Sequence, residues 1–151
     1  MTTMVCFRAG STAYCVPVAA TRSVRTTLDM MALPRTRRGI VGIIPGDPPL
    51  TVIAPLGSGG SHVLVIEADS KTFGLLVDSV TGLYQVDTAS IRHAPDGQSQ
   101  QLVSGTVERD GQLMLVADPD ALAGRLDGRR RESRRARNAA VSVGADSGPD
   151  R

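Results

Sequence analysis

The sequence predicts an all-β domain that ends in one short helix, and three observations support this prediction. Short apolar runs recur between turn-forming residues, which is typical of sandwiches and barrels rather than of alternating strands and helices. Aromatic residues make up 3% of the chain, so Val, Leu, Ile and Ala must fill the core. The length of 151 residues is within the usual range of one domain with a moderate core.

The first half of the chain contains five predicted strands and one helical turn. MVCF and AYCVPV flank the turn-forming residues AGST, and together they predict a β-hairpin that ends at a proline. Residues 19–28 predict a helical turn followed by a third strand. IVGII and LTVIAPL predict two more strands around PGDPP, a turn whose three prolines have no amide hydrogen to donate to a sheet.

The second half contains the same number of predicted strands. They are HVLVIEA (62–68), KTFGLLVDSV (71–80), LYQV (83–86), SGTVER (104–109) and QLMLVA (112–117). RDGQ predicts a tight hairpin turn between the last two, because Asp-Gly readily adopts the backbone conformations that two-residue hairpin loops require. The Gly-rich stretch 57–61 lacks the Lys and Ser/Thr of a phosphate-binding loop and precedes a strand, so it does not predict a nucleotide site.

The segment ADPDALAGRL predicts the closing helix. Asp118 is suited to cap it, Pro119 to begin it, and Gly128 lies just past its end. Leu122 and Leu126 fall on one face of such a helix and predict the side that packs on the strands.

Residues 127–151 are predicted to be an Arg-rich, disordered tail, because they offer too little apolar surface to offset the entropy of ordering. Residues 125–151 carry eight basic and four acidic side chains, a net charge of +4, whereas residues 1–124 carry nine and eleven, a net charge of −2. The run RRRESRRAR leaves open an alternative in which the tail binds nucleic acid or anionic lipid. No aromatic residue interleaves with the run to stack on bases, so we expect no specific nucleic-acid site.

Cys6 and Cys15 are the only cysteines, and each lies in a strand-like apolar stretch. They are predicted to be buried thiols. A cross-strand disulfide is geometrically open to them if the two stretches pair, but a reducing compartment argues against it. No apolar run approaches the roughly 20 residues that span a bilayer, and no signal peptide begins the chain, so the predicted location is cytoplasmic without membrane insertion.

Residue patterns for catalysis, metals or cofactors are lacking. His62 adjoins the Gly-rich stretch, His93 lies in a predicted loop, and neither belongs to a nucleophile or metal-binding motif. Lys71 occupies a polar turn, where a desolvated amine is not expected. Asp78 follows the apolar run FGLLV near a strand end, and it is predicted to accept hydrogen bonds from the next turn's amides rather than to act as an acid or base. These residue patterns therefore do not predict catalytic chemistry.

Three segments resemble the CheW-like domain of bacterial chemotaxis adaptors, and the resemblance covers about residues 4–126, within a domain placed at residues 1–126. FRAGSTAYCVPVAATRSVR resembles the opening hairpin of that family, and VSGTVERDGQLMLVADPDALAGRL resembles its last hairpin and closing helix. FGLLVDSVTGLYQVDTASIRHAP matches best, with its Gly-hydrophobic-hydrophobic-Val-Asp pattern and its Ile-x-x-x-Pro segment.

This resemblance implies two packed, SH3-like, five-stranded β-barrels with a short C-terminal helix and with residues 57–61 between the barrels. It implies a non-enzymatic adaptor that bridges a CheA-type histidine kinase and the cytoplasmic tip of a chemoreceptor. The partner-binding positions that it implies are Thr21, Arg22, Val24 and Arg25 in the first barrel and Leu83, Tyr84 and Val86 in the second. Leu83 and Tyr84 fall on opposite faces of a short strand, so one of them should face outward, and Tyr84 is the candidate anchor.

One departure from the family pattern concerns receptor binding. The family usually carries Asn-Leu-Arg-Gly in the turn where this chain has PGDPP, so Asp47 stands near the position of a positive charge. An acidic residue expected in the early segment is Ser23 here. We therefore expect the chain to bind receptors weakly, because of the turn that contains Asp47. A divergent CheW-like module that serves another signalling system remains the alternative function.

Overall fold

A computed structural model describes residues 1–34, 39–57, 60–93 and 102–127, so the predicted tail from residue 128 and the position of Gly128 lie outside the described residues. These residues form twelve strands and one α-helix. The strands are β1 (Thr2–Ala9), β2 (Thr12–Pro17), β3 (Thr21–Thr26), β4 (Met31–Ala32), β5 (Ile40–Ile44), β6 (Leu50–Ile53), β7 (His62–Ala68), β8 (Lys71–Val77), β9 (Ser79–Val86), β10 (Arg92–His93), β11 (Val103–Arg109) and β12 (Gln112–Ala117). The helix α1 spans Pro119–Gly124.

The strands form two six-stranded sheets. The first sheet has the order β10-β11-β12-β2-β1-β9, and the second has the order β3-β7-β8-β6-β5-β4. Each contains five longer strands and one strand of two residues, β10 or β4. The all-β prediction of two packed five-stranded units and a short C-terminal helix is therefore confirmed, with a two-residue strand added at the end of each sheet.

The division of the strands between the sheets differs from the sequential one that was predicted. β1 and β2 from the chain start join β9 to β12, and β7 and β8 join β3 to β6. The stretch 57–61 therefore connects β6 and β7 within the second sheet rather than the two units. The physical reason is that β2 continues the ladder of β12 through a parallel pair, Leu115 to Tyr14, a long-range contact that local sequence does not reveal.

Local turn and cap chemistry agrees with the sequence predictions. Asp110 and Gly111 have φ angles of 51° and 77° between β11 and β12, as a type I′ hairpin loop requires. A helical turn at Val18–Ala20 precedes β3. The Asp118 side chain accepts hydrogen bonds from the amides of Asp120 and Ala121, at 3.0 and 3.3 Å, and so caps α1, which begins at Pro119.

Three apolar clusters hold these elements together. The largest lies between the sheets and includes Phe7 from the first sheet, Phe73 from the second and Leu122 from α1, all three fully buried. Met4, Cys6, Cys15, Val86, Val107, Met114 and Val116 form a cluster within the first sheet. Ile44, Val52, Val63 and Leu76 form one within the second. Each sheet thus has a small apolar core of its own, and the third and largest core lies between the two sheets.

Candidate protein-binding surfaces

Strand β3 carries four of the predicted partner-binding residues, Thr21, Arg22, Val24 and Arg25. None of its six residues is buried. β3 is the end strand of the second sheet and pairs with β7 on one side. A strand with such open faces contributes little to the core, so its side chains are accessible to a partner.

Two ion pairs order the basic side chains on this part of the sheet. The Arg22 guanidinium pairs with the Glu67 carboxylate of β7. The Arg25 guanidinium donates to the Asp29 carboxylate at 3.3 Å, four residues along the chain. All four side chains are well exposed, so these pairs add little to stability and hold the arginines in place at a polar rim.

Exposed apolar side chains extend this surface beyond β3. Val24, Leu28, Met31 and Leu33 are 47%, 91%, 61% and 36% exposed. We call these four residues the second-sheet surface. Leu28, Met31 and Leu33 are not among the residues predicted from the sequence, although the mixed polar and apolar segment TRSVRTTLDMMALP contains the signal: apolar residues without the regular period of a buried element.

Strand β9 carries the other predicted group and exposes alternate residues. Thr81, Leu83 and Gln85 are exposed, and we call these three residues the β9 surface. Leu83 is 62% exposed, whereas Tyr84 packs against the cluster within the first sheet. One of the two faces outward, as predicted, but that residue is Leu83 rather than Tyr84.

Val86 is not at the surface. It is 5% exposed and packs with Met4 and Cys15 in the cluster within the first sheet. Its side chain lies on the inner face of β9, since residues 82, 84 and 86 alternate with the exposed residues 81, 83 and 85. The expectation that Val86 contacts a partner is therefore corrected to a supporting position beneath the β9 surface.

Tyr84 forms an ordered contact at the edge of the first sheet. The Arg109 guanidinium lies 3.7 Å from the centre of the Tyr84 ring, in the range of a cation–π interaction. Both residues line a surface cavity of about 160 Å³. Arg109 thus holds the ring against the sheet and limits its use as a free anchor.

Asp47 lies in an exposed turn between β5 and β6. Ser23, the other departure from the family pattern, is exposed on β3, and three strands separate β3 from β5 in the sheet order. Within the described ranges Asp47 has no ion-pair partner. Both departures therefore lie on the second sheet, and the charge of Asp47 is open to solvent.

Comparisons with known proteins identify the family of the chain. The family model of the CheW-like domain matches residues 50–127, just over half of the chain. The chain belongs to the CheW-like domain family. It is 24% identical to the chemotaxis protein CheW of Rhizobium meliloti (strain 1021), over 79% of this chain and 85% of that protein. The crystal structure of the scaffolding protein TtCheW from Thermoanaerobacter tengcongensis superposes with a TM-score of 0.70 and 22% identity, covering 80% of this chain and 91% of that one.

This membership identifies a non-enzymatic CheW-like scaffold of chemotaxis signalling. The positions of the former catalytic candidates agree with that role. His62 begins β7, where its Nδ1 is 3.0 Å from the Ser61 hydroxyl, and His93 is exposed on β10. The Lys71 amine pairs with Asp69 at 3.2 Å in the β7–β8 hairpin.

Asp78 has a structural position between β8 and β9. Its backbone amide donates to the carbonyl of Arg8 at 2.8 Å and so joins the second sheet to β1. Among the described residues its carboxylate accepts no hydrogen bond, so the predicted bonds from the next turn are not found. Over the same residues, no group of three His, Cys, Asp or Glu could hold a metal ion, and no helix is both long and apolar enough to cross a membrane.

Proposed function

We propose that this scaffold bridges a CheA-type histidine kinase and the tip of a chemoreceptor in the cytoplasm. The observation that supports the proposal is the distribution of exposed apolar side chains over two separate surfaces. Leu83 and Leu113 are on the first sheet, Val24 and Met31 are on the second, and Leu28 lies in the turn between β3 and β4. Exposed apolar groups are costly for a monomer unless partners cover them, and two such surfaces suit a protein with two partners.

The kinase is assigned to the β9 surface. This surface pairs a 62% exposed leucine with flanking polar side chains on an end strand of its sheet. A regulatory domain related to the CheW-like domain would present a similar strand edge, so association can continue one sheet into the next. Leu83 is the anchor in this arrangement, and Tyr84 supports it from beneath.

The receptor tip is assigned to the second-sheet surface, whose four exposed apolar side chains suit the apolar face of a helix. Weak affinity follows from the turn at Asp47, since its carboxylate replaces a positive group and adjacent prolines remove amide donors. The receptor complex is therefore expected to be the weaker of the two.

Titration of purified protein against a CheA regulatory domain tests the first assignment. We expect Leu83→Ala to weaken binding by about 1 to 2 kcal/mol, because an anchor near the centre of an interface carries much of its energy. Leu113→Ala is the matched control, since Leu113 is 60% exposed on β12 of the same sheet. Equal effects of the two variants, or none, would contradict the role of Leu83.

A second titration tests bridging itself. The protein saturated with the kinase domain should still bind a receptor tip fragment, because the two surfaces lie on different sheets. Asp47→Arg should strengthen that second step without altering the first. Competition between the two partners would overturn the bridging proposal, and full-strength receptor binding by the unchanged chain would overturn the effect assigned to Asp47.

The PGDPP turn also favours a second candidate, a CheW-like module in a signalling system other than chemotaxis. That candidate predicts binding to a kinase domain through the β9 surface and no binding to any chemoreceptor tip, even after Asp47→Arg. The same pair of titrations therefore separates the two functions.

A further inference from the structure

Cys6 and Cys15 face each other directly across the first sheet. They are partners in the antiparallel register of β1 and β2, and both side chains lie in the cluster within that sheet. Side chains at directly opposed positions share one face at a Cβ separation of roughly 4.5 to 5.5 Å, so a small approach of the strands reaches the roughly 3.5 to 4.5 Å that a disulfide spans. Both thiols are free in the structure.

The two thiols differ in access. Both thiols are buried, at 2% and 0% exposure, but Cys6 lines the cavity of about 160 Å³ that also contacts Tyr84 and Arg109, whereas Cys15 does not line it. The neighbour of Cys6 on β9 is Gly82, which has no side chain to cover it. A register shift follows at once and leaves Thr81 as the extra residue of a β-bulge, also at the cavity wall. The cavity therefore opens toward one cysteine of the pair.

The pKa values of the two thiols also differ, and the difference again favours Cys6 as the reactive thiol. A hydrogen bond from Cys15 lowers the pKa of Cys6, burial opposes this, and the Arg109 guanidinium lowers it further. The same hydrogen bond, burial and the charge of Cys6 raise the pKa of Cys15 well above its ordinary value. Cys6 is thus the thiol that ionises first, and the thiolate is the reactive form.

We propose that Cys6 and Cys15 form a reversible oxidation site, in which a hydroperoxide oxidises Cys6 through the cavity and Cys15 then closes a cross-strand disulfide. A disulfide of this kind is compatible with a reducing compartment, because thiol reductants reverse it and only an oxidant pulse forms it. The inference rests on the cysteine pair and the cavity and is independent of partner binding.

The chemistry balances with one hydroperoxide for each disulfide. The Cys6 thiolate attacks the terminal oxygen of the hydroperoxide, so that an S–O bond forms, the O–O bond breaks and hydroxide leaves from hydrogen peroxide, or an alkoxide from an organic hydroperoxide, with two electrons passing from sulfur to the peroxide. The Cys15 sulfur then attacks the sulfenic sulfur of Cys6. An S–S bond forms, the S–O bond breaks, and the thiol proton of Cys15 combines with the departing hydroxide as water.

The test is oxidation of the full chain by hydrogen peroxide, followed by intact mass and by peptide mapping after denaturation in an alkylating agent. We expect the unchanged chain to lose two hydrogens, to retain no free thiol and to recover both thiols with dithiothreitol. Cys15→Ala should accumulate a sulfenic acid at Cys6 that dimedone traps. In Cys6→Ala, Cys15 should stay reduced under the same conditions.

Arg109→Gln provides a measurement that does not depend on replacing a cysteine. Its oxidation rate at neutral pH should fall by about threefold or more, and its pH–rate profile should move to higher pH, because the pKa of Cys6 rises when the guanidinium is removed. Arg8→Gln is the matched control, since Arg8 lines the same cavity but its guanidinium donates to the Ser11 carbonyl at 3.0 Å.

Three results would overturn the proposal. They are thiols that stay reduced at peroxide levels that oxidise free cysteine in the same tube, equal oxidation of Cys15 with and without Cys6, and a disulfide that joins two molecules instead of two strands. An Arg109→Gln profile that coincides with the Arg8→Gln profile would count against it as well.

Discussion

Strands β3 and β8 flank the same strand, β7, yet β8 is largely buried and β3 is largely exposed. β8 reads KTFGLLV and has five consecutive buried residues, whereas β3 reads TRSVRT and has none. One face of β8 lies against the first sheet and α1 through Phe73, Leu75 and Val77, and Leu76 on the other face lies in the cluster within the second sheet. β8 therefore contributes to stability through its buried side chains, whereas β3 leaves its side chains accessible, and we expect substitutions in the two strands to affect stability and the proposed receptor binding separately.

The largest expected effect is in β8. Phe73→Ala should lower the free energy of unfolding by about 3 to 5 kcal/mol, because it leaves a cavity where a fully buried ring joins both sheets. Denaturant unfolding of the purified protein measures this. A loss below about 1 kcal/mol would show that the core between the sheets can collapse around the missing ring.

Gly74→Ala tests how tightly the other face of β8 is packed. A methyl group there would lie 2.5 Å from Cγ1 of Val63 and 3.2 Å from Cγ2 of Val52, both buried and branched side chains. We expect a loss of about 1 to 3 kcal/mol from overpacking. Gly46→Ala in the exposed β5–β6 turn is the control and should be nearly neutral, and equal thermal midpoints for the two variants would refute the steric argument.

Asp118→Ala tests the helix α1, which packs against β7 and β8. The loss of its two hydrogen bonds to the first turn of α1 should cost about 1 kcal/mol, because the cap positions the buried Leu122. Asp120→Ala removes a carboxylate from the same turn without removing a capping group. Chemical denaturation should therefore rank Asp118→Ala clearly below Asp120→Ala in stability.

The smallest effect on stability is expected in β3. Val24→Thr keeps the branched shape, and at a 47% exposed position it should change the free energy of unfolding by less than about 0.5 kcal/mol. Its affinity for a receptor tip should still fall by about 0.8 kcal/mol, the contribution of one buried methyl group. A Val24→Thr variant that loses stability but keeps its affinity would contradict the expectation that β3 contributes to binding rather than to stability.

Much of the local structure was predictable from particular residues. Asp110 and Gly111 specify their hairpin loop, Asp118 and Pro119 specify the start of α1, and strands β5, β7 and β12 have the bounds that their apolar runs predict. These features depend on φ angles, capping groups and side-chain period, which involve neighbours along the chain. Leu83 and Tyr84 were likewise assigned to opposite faces, since side chains alternate along any strand.

The tertiary structure alone decided which strands share a sheet and which face of β9 is outside. The parallel pair of β2 with β12 and of β6 with β8 joins residues far apart in sequence, so no local pattern separates the interleaved sheets from a sequential division. Val86 is buried and Leu83 is exposed because Met4 and Cys15 lie beneath the inner face of β9. The two-residue period of a strand predicts that side chains alternate between two faces, but it does not predict which face is buried. The sequence by itself therefore determined the elements and the family resemblance, whereas long-range pairing determined the cores and the surfaces that remain for partners.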